Sequence, residues 1–218
     1  MKNLKKPYRL FISLRSPFAR RVRIALHRFS IPFEAVELNV FEPTDEFLSA
    51  NPLGLVPVLE IQETHSFMPD SSTILEYLHE NHGGQIWPED LSARQAVRIA
   101  STLAEGLMTM TVNLFLESTR KNPDQVWTTD FQDALKRTLA TIHEQSLTKF
   151  PWVNPGVNTA FGELTQAGWD LMVALEYVKL RVPASFLKGI DDNYPKLKTY
   201  FELHQGYSAL QETAPPAA

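Results

Sequence analysis

No cysteine occurs among the 218 residues, which excludes disulfides, thiolate metal sites and redox chemistry on a protein thiol. No uninterrupted apolar run has the length of a membrane span, and the first residues lack the charged-then-apolar pattern of a secretory leader. A cytoplasmic protein without membrane contact is the expectation. Low-complexity sequence is confined to the closing TAPPAA. A surplus of positive charge is missing too: 21 Lys and Arg stand against 25 Asp and Glu, a formal charge of -4. Nucleic-acid binding normally needs a basic face, so partners of that class are disfavoured. The basic residues that exist gather at the start, from Lys2, Lys5, Lys6 and Arg9 through Arg15, Arg20, Arg21, Arg23 and Arg28. They read as mostly solvated charge, with some able to form a rim attractive to an anionic ligand.

The chain is long enough for one large domain or two small ones. Tyr8 to Leu14, YRLFISL, alternates around Leu10, Ile12 and Leu14 and reads as a strand. Ser16-Pro17 then supplies an N-cap and a first helical position, and Phe18, Val22, Ala25 and Phe29 make one helical stripe. After the turn at Ser30-Ile31-Pro32, Phe33 to Leu38 reads as a second strand, parallel to the first because a helix joins them. A short helix over Glu42 to Ala50 leads to NPLGLVPVLE, from Asn51 to Glu60. Pro57 lacks an N–H and marks where a strand begins. The main chain of Val56 is then left at a sheet edge, where an extended peptide can pair with it. A strand around Glu63 to Phe67 follows, and Met68-Pro69-Asp70-Ser71 opens a helix with Ile74, Leu75 and Leu78 inward, ended by Gly83-Gly84.

From Glu89 the periodicity is helical almost throughout. Ala93, Val97, Ala100, Ala104, Leu107, Thr111 and Leu114 form one seam, with small residues that permit close helix packing. Further helices are read around Phe131 to Ile142, over Leu164 to Val182, which is apolar enough to be central, and over Tyr194 to His204. The predicted architecture is an α/β domain over residues 1–83, a linker over 84–88 and an all-α domain over 89–218. His79 and His82 lack a third ligand and read as surface residues; Asp191-Asp192 reads as a turn or cap.

SPFARRVRIAL (Ser16 to Leu26), NPLGLVPVLE and DSSTILEYL (Asp70 to Leu78), with the closing YPKLKTYFELHQGYSALQETAPP, resemble the glutathione S-transferase family across both domains. The resemblance implies a thioredoxin-like N-terminal domain, a C-terminal helical bundle, glutathione as co-substrate, no metal and a homodimer. It implies Ser16 as the residue that activates the thiol, with the helix dipole favouring negative charge there. It also implies that Val56, beside Pro57, pairs with the cysteinyl unit, that Ser71 holds the γ-glutamyl carboxylate, and that Asp70 faces the α-ammonium. The bland alternative for Ser16, Asp70 and Ser71 is helix capping alone. Tyr8 and Ser13 are weaker candidates for the activating hydroxyl; Arg15 and Arg20 are candidates to enter the site. Met108, Met110, Phe115 and Trp169 are candidates for an apolar electrophile pocket and, equally, for core packing or dimer contact.

The sequence also departs from the family pattern. Ser16 stands where the omega type has Cys, which disfavours mixed-disulfide chemistry. Leu55 replaces a polar residue, leaving no evident ligand for the glycyl carboxylate. Thr165-Gln166-Ala167-Gly168 lacks the Asp of a capping box, which is expected to weaken that helix start by about 1 kcal/mol. The expected function is glutathione transfer to an electrophilic or peroxidic small molecule. The alternatives are a zeta-type isomerase, which shares RVRIAL but has a Ser-Ser-Cys-Ser-like stretch where this chain has Arg15-Ser16-Pro17-Phe18, and a non-catalytic interaction module.

Overall fold

A computed structural model describes residues 7–83, 86–154, 164–183 and 192–216. The chain divides into two compact units: one runs to Ile86 and resumes at Glu212, the other runs from Trp87 to Gln211. The first unit holds β1 (Tyr8–Ile12), α1 (Pro17–Arg28), β2 (Phe33–Glu37), α2 (Asp45–Ala50), β3 (Val58–Ile61), β4 (Ser66–Pro69) and α3 (Ser71–Asn81). The sheet order is β2-β1-β3-β4. β1 and β2 are parallel, as a helical crossover requires, while β3 is antiparallel to both β1 and β4. This is the thioredoxin-like arrangement.

Side-chain alternation divides the sheet's two faces. Phe11 and Val58 join Phe47 and Ala50 in a cluster under α2. Leu10 and Leu59, paired across the ladder and fully buried, point to the opposite face. The buried Val22 and Ala25 of α1 and Ile74, Leu75 and Leu78 of α3 supply the apolar cover there. β1 stops at Ile12 rather than Leu14, because a turn in which the Ser16 N–H donates to the Ser13 carbonyl at 2.9 Å takes the chain into α1.

The second unit holds α4 (Leu91–Ser118), α5 (Gln125–His143), α6 (Gln166–Arg181) and α7 (Pro195–His204), with α8 (Ser208–Glu212) leading back to the first unit. α4 packs on both α5 and α6, with Ala100 and Ala104 buried on its seam. By length and composition alone α4 could cross a membrane, with a mean hydropathy of 1.3 over eighteen residues. Its packing here is that of a bundle core helix. α8 escapes sequence periodicity because five residues are too few to show it. Asp191 and Gly84 lie outside the described residues.

Two further readings are corrected. Arg20, Arg21 and Arg23 are buried, at 3%, 0% and 9% exposure, rather than solvated or on a rim. Arg20 Nε donates to Thr213 Oγ1 at 3.4 Å and Arg23 to the Thr213 carbonyl at 3.2 Å, where the chain returns against α1. Burial holds the Arg23 guanidinium below its usual range, with the nearby Arg20 charge adding to that. Gly168 is required rather than a lost cap: a Cβ there would lie 2.2 Å from the Trp152 carbonyl oxygen and 2.9 Å from the Tyr200 hydroxyl. Thr165 still caps α6, accepting from the Gly168 N–H at 3.2 Å.

Candidate functional site

Strand register brings the sequence motifs to one place. Phe11 pairs with Val58, and Val58 with Pro69, so these three form one row across β1, β3 and β4. The chain leaves this row on the same side in all three strands. Ser13 to Ser16 continue from β1, Val56-Pro57 precede β3, and Asp70-Ser71 follow β4. Motifs up to some sixty residues apart in sequence therefore emerge at one end of one sheet. Tyr8, paired with Ile61, belongs to the other end.

At α1 the capping side chain is Ser16, whose Oγ accepts from the Ala19 N–H at 3.2 Å. That bond uses the oxygen as an acceptor, and among the described residues no acceptor takes the Ser16 hydroxyl hydrogen. Pro17 at the first helical position has no N–H to offer. This helix end therefore presents the Ser16 hydroxyl and the Phe18 N–H, which likewise has no partner among the described residues, in the positive field of the first turn, an arrangement suited to a soft anion.

The start of α3 is built differently. Asp70 sits at a φ of 75°, which side chains rarely adopt and which Asp tolerates better than most. Its Oδ1 accepts from the N–H groups of Ser72 and Thr73, each at 3.0 Å. The N–H of Ser71 is left without a partner among the described residues. Ser71 Oγ accepts from Arg21 Nη1 at 3.2 Å, so its own hydrogen is available as well. One amide and one hydroxyl donor at a helix N-terminus suit a carboxylate. Asp70, exposed, adds negative charge beside them. Val56 completes the set: neither its N–H nor its carbonyl is hydrogen-bonded among the described residues, and the peptide to Pro57 is cis. A donor and an acceptor on one extended residue can pair with a peptide main chain.

Other candidates lie elsewhere. Ser13 contributes its carbonyl to the turn before α1. The Tyr8 hydroxyl is 2.8 Å from His82 Nε2, and burial, with Tyr77 adding to it, pushes the Tyr8 phenol far above its usual range. His79 is buried on α3 rather than on the surface. Arg20 is directed at Thr213, and Arg15 is exposed at the turn before α1. Leu55 is 64% exposed while its carbonyl accepts from Asn51 Nδ2 at 2.7 Å, an arrangement that fixes the turn before Val56. Met108 and Trp169 are core residues of the second unit. Phe115 carries the Arg181 guanidinium 4.0 Å from its ring centroid. Sequence reasoning missed Arg21, which is fully buried and bridges from α1 to Ser71 and Ser72 on α3. The signal was its place one residue before Val22 on the buried helix stripe.

Residues 10–85 match the family model described as Glutathione S-transferase, N-terminal domain. A glutathione S-transferase of the zeta class from Euphorbia esula is 26% identical over 95% of this chain and 88% of that protein. A maleylacetoacetate isomerase from Mus musculus is 35% identical over 43% of this chain and 45% of its own length. A crystal structure of a glutathione S-transferase from Methylobacillus flagellatus KT with GSH bound is similar at a TM-score of 0.82 and 27% identity, covering 96% of this chain and 100% of that one.

Proposed function

The chain belongs to the glutathione S-transferase family, and we propose that it binds glutathione and activates its thiol for attack on an apolar electrophile or a peroxide. The observation that carries this reading is the Phe11, Val58 and Pro69 row, which brings three differently equipped segments to one end of the sheet. Glutathione offers a thiol, a peptide main chain, carboxylates and an ammonium. In this reading the Ser16 hydroxyl donates to the sulfur, and the Val56 N–H and carbonyl pair with the cysteinyl unit beside Pro57. The Ser71 amide and hydroxyl hold the γ-glutamyl carboxylate, and Asp70 faces the ammonium. A thiol ordinarily ionises at about 8.5; a donated hydrogen bond and the dipole of α1 both stabilise the thiolate and lower that value. The thiolate of the ligand is the nucleophile, so no base triad is required.

A cytoplasmic homodimer is part of the proposal on family grounds, and sedimentation velocity tests the dimer. Calorimetric titration with glutathione tests the site. Wild type is expected to bind in the micromolar to millimolar range, Ser71→Ala to weaken binding by about tenfold or more, and Ser16→Ala largely to keep it. Absence of binding by wild type would sink the reading.

A glutathione-dependent isomerase is the second reading, favoured by the zeta-class relative that spans nearly the whole chain. An isomerase would convert a cis enone to its trans form with glutathione regenerated, whereas a transferase consumes glutathione in step with product. Counting free thiol during turnover separates the two. A non-catalytic interaction module is disfavoured by the donors left without partners at Ser16, Val56 and Ser71.

A further inference from the structure

Arg21 lies on α1, four residues beyond its first helical residue, and its side chain is wholly buried. Its Nη1 donates to Ser71 Oγ and to Ser72 Oγ, each at 3.2 Å, at the N-terminus of α3. A guanidinium has donors only and keeps its charge at any accessible pH. Ser71 Oγ must therefore be the acceptor in that bond, and its single hydrogen has to point elsewhere. Without Arg21 that restriction on the hydroxyl hydrogen is lifted.

We propose that Arg21 is a positioning residue for the carboxylate subsite: it fixes the Ser71 hydroxyl as a donor toward the ligand and sets a buried positive charge behind it. The inference rests on the glutathione reading above. It extends that reading to a residue that does not touch the ligand and sits on the helix whose cap is Ser16. The same side chain ties the start of α3 to α1, so the sulfur and carboxylate ends of the site are held at a fixed separation.

The selectivity of this effect separates positioning from general support of the fold. Glutathione is compared with 4-aminobutyryl-cysteinyl-glycine, which keeps the ammonium, thiol and glycyl carboxylate but lacks the γ-glutamyl α-carboxylate. Arg21→Met is expected to weaken glutathione by about tenfold while changing the affinity for the analogue by less than about twofold. Arg21→Gln, which keeps donors but not charge, is expected to fall between. Equal weakening of both ligands, or of neither, overturns the proposal. If wild type binds neither ligand, the glutathione reading itself has failed. Should neither variant keep the wild-type circular dichroism, the guanidinium 15N–1H signals of the unmodified protein provide the second measurement. A buried, slowly exchanging arginine signal is expected to shift with glutathione and not with the analogue, and the absence of any such difference overturns the proposal.

Discussion

The helix starts of the two units use the same cap chemistry for different ends. Ser16 and Asp70 begin α1 and α3 in the first unit; Thr165 begins α6 in the second. Each accepts from an N–H of the first turn. The difference lies in what remains. Thr165 is 4% exposed, and its hydroxyl hydrogen is directed at the carbonyls of Pro151 and Trp152, so no hydrogen-bonding capacity is left over. The Ser16 hydroxyl hydrogen and the Ser71 N–H meet no partner among the described residues. A cap residue therefore does not by itself announce a site; what distinguishes Ser16 from Thr165 is a hydroxyl hydrogen that no described residue accepts.

The largest test of this contrast is Ser16→Ala. Losing the hydroxyl proposed to donate to the sulfur is expected to lower kcat by about 10² to 10³, with roughly 1 kcal/mol of stability lost with the cap. A drop in kcat no larger than the unfolded fraction explains would reduce Ser16 to a cap. Gly168→Ala probes the opposite region. Its Cβ would meet the Trp152 carbonyl oxygen at 2.2 Å, and overpacking of this kind is expected to cost about 1–3 kcal/mol or more. Chemical denaturation should show that loss, while glutathione affinity of the folded fraction stays unchanged.

A smaller effect is expected from Asp70→Asn. Asn still caps and tolerates a positive φ, so the melting temperature should hardly move, while glutathione binding is expected to weaken several-fold through loss of the charge proposed to face the ammonium. A melting shift without a binding change would assign Asp70 to capping alone. The smallest effect concerns Tyr8, whose hydroxyl is already engaged by His82. Burial raises its folded-state value above the usual phenol pKa near 10. The unfolded chain therefore releases that proton first. Stability from Tyr8 is complete below about pH 10 and is lost as pH rises above it. Melting curves from pH 8 to 11 should fall less steeply for Tyr8→Phe than for wild type; identical slopes would show that Tyr8 does not set the alkaline limb.

Much of the first unit was legible in its sequence. The Ser16-Pro17 start, the Pro57 entry into β3 and the Asp70-Ser71 start of α3 are local signals, made by residues adjacent in the chain. The C-terminal helices were legible through their apolar spacing, apart from α8. The arginines of α1 were misread because burial of a charged group depends on distant partners. Arg20 and Arg23 meet Thr213, more than 180 residues on, and Arg21 meets Ser71, fifty residues on. No composition or period encodes such pairs. Gly168 was likewise misread as a missing Asp, since only the packed neighbours Trp152 and Tyr200 show that there is no room for a side chain.

The sequence by itself determined where α1 and α3 begin, that Ser16 and Asp70 can cap them, and that a turn with Pro57 opens β3, because propensity, capping and proline geometry act over a few residues. The tertiary structure alone decided that Ser16, Val56 and Ser71 emerge at one end of the sheet, and which of their hydrogen-bonding groups stay unengaged. Strand register and buried long-range partners set both, and these act between residues that the chain keeps far apart.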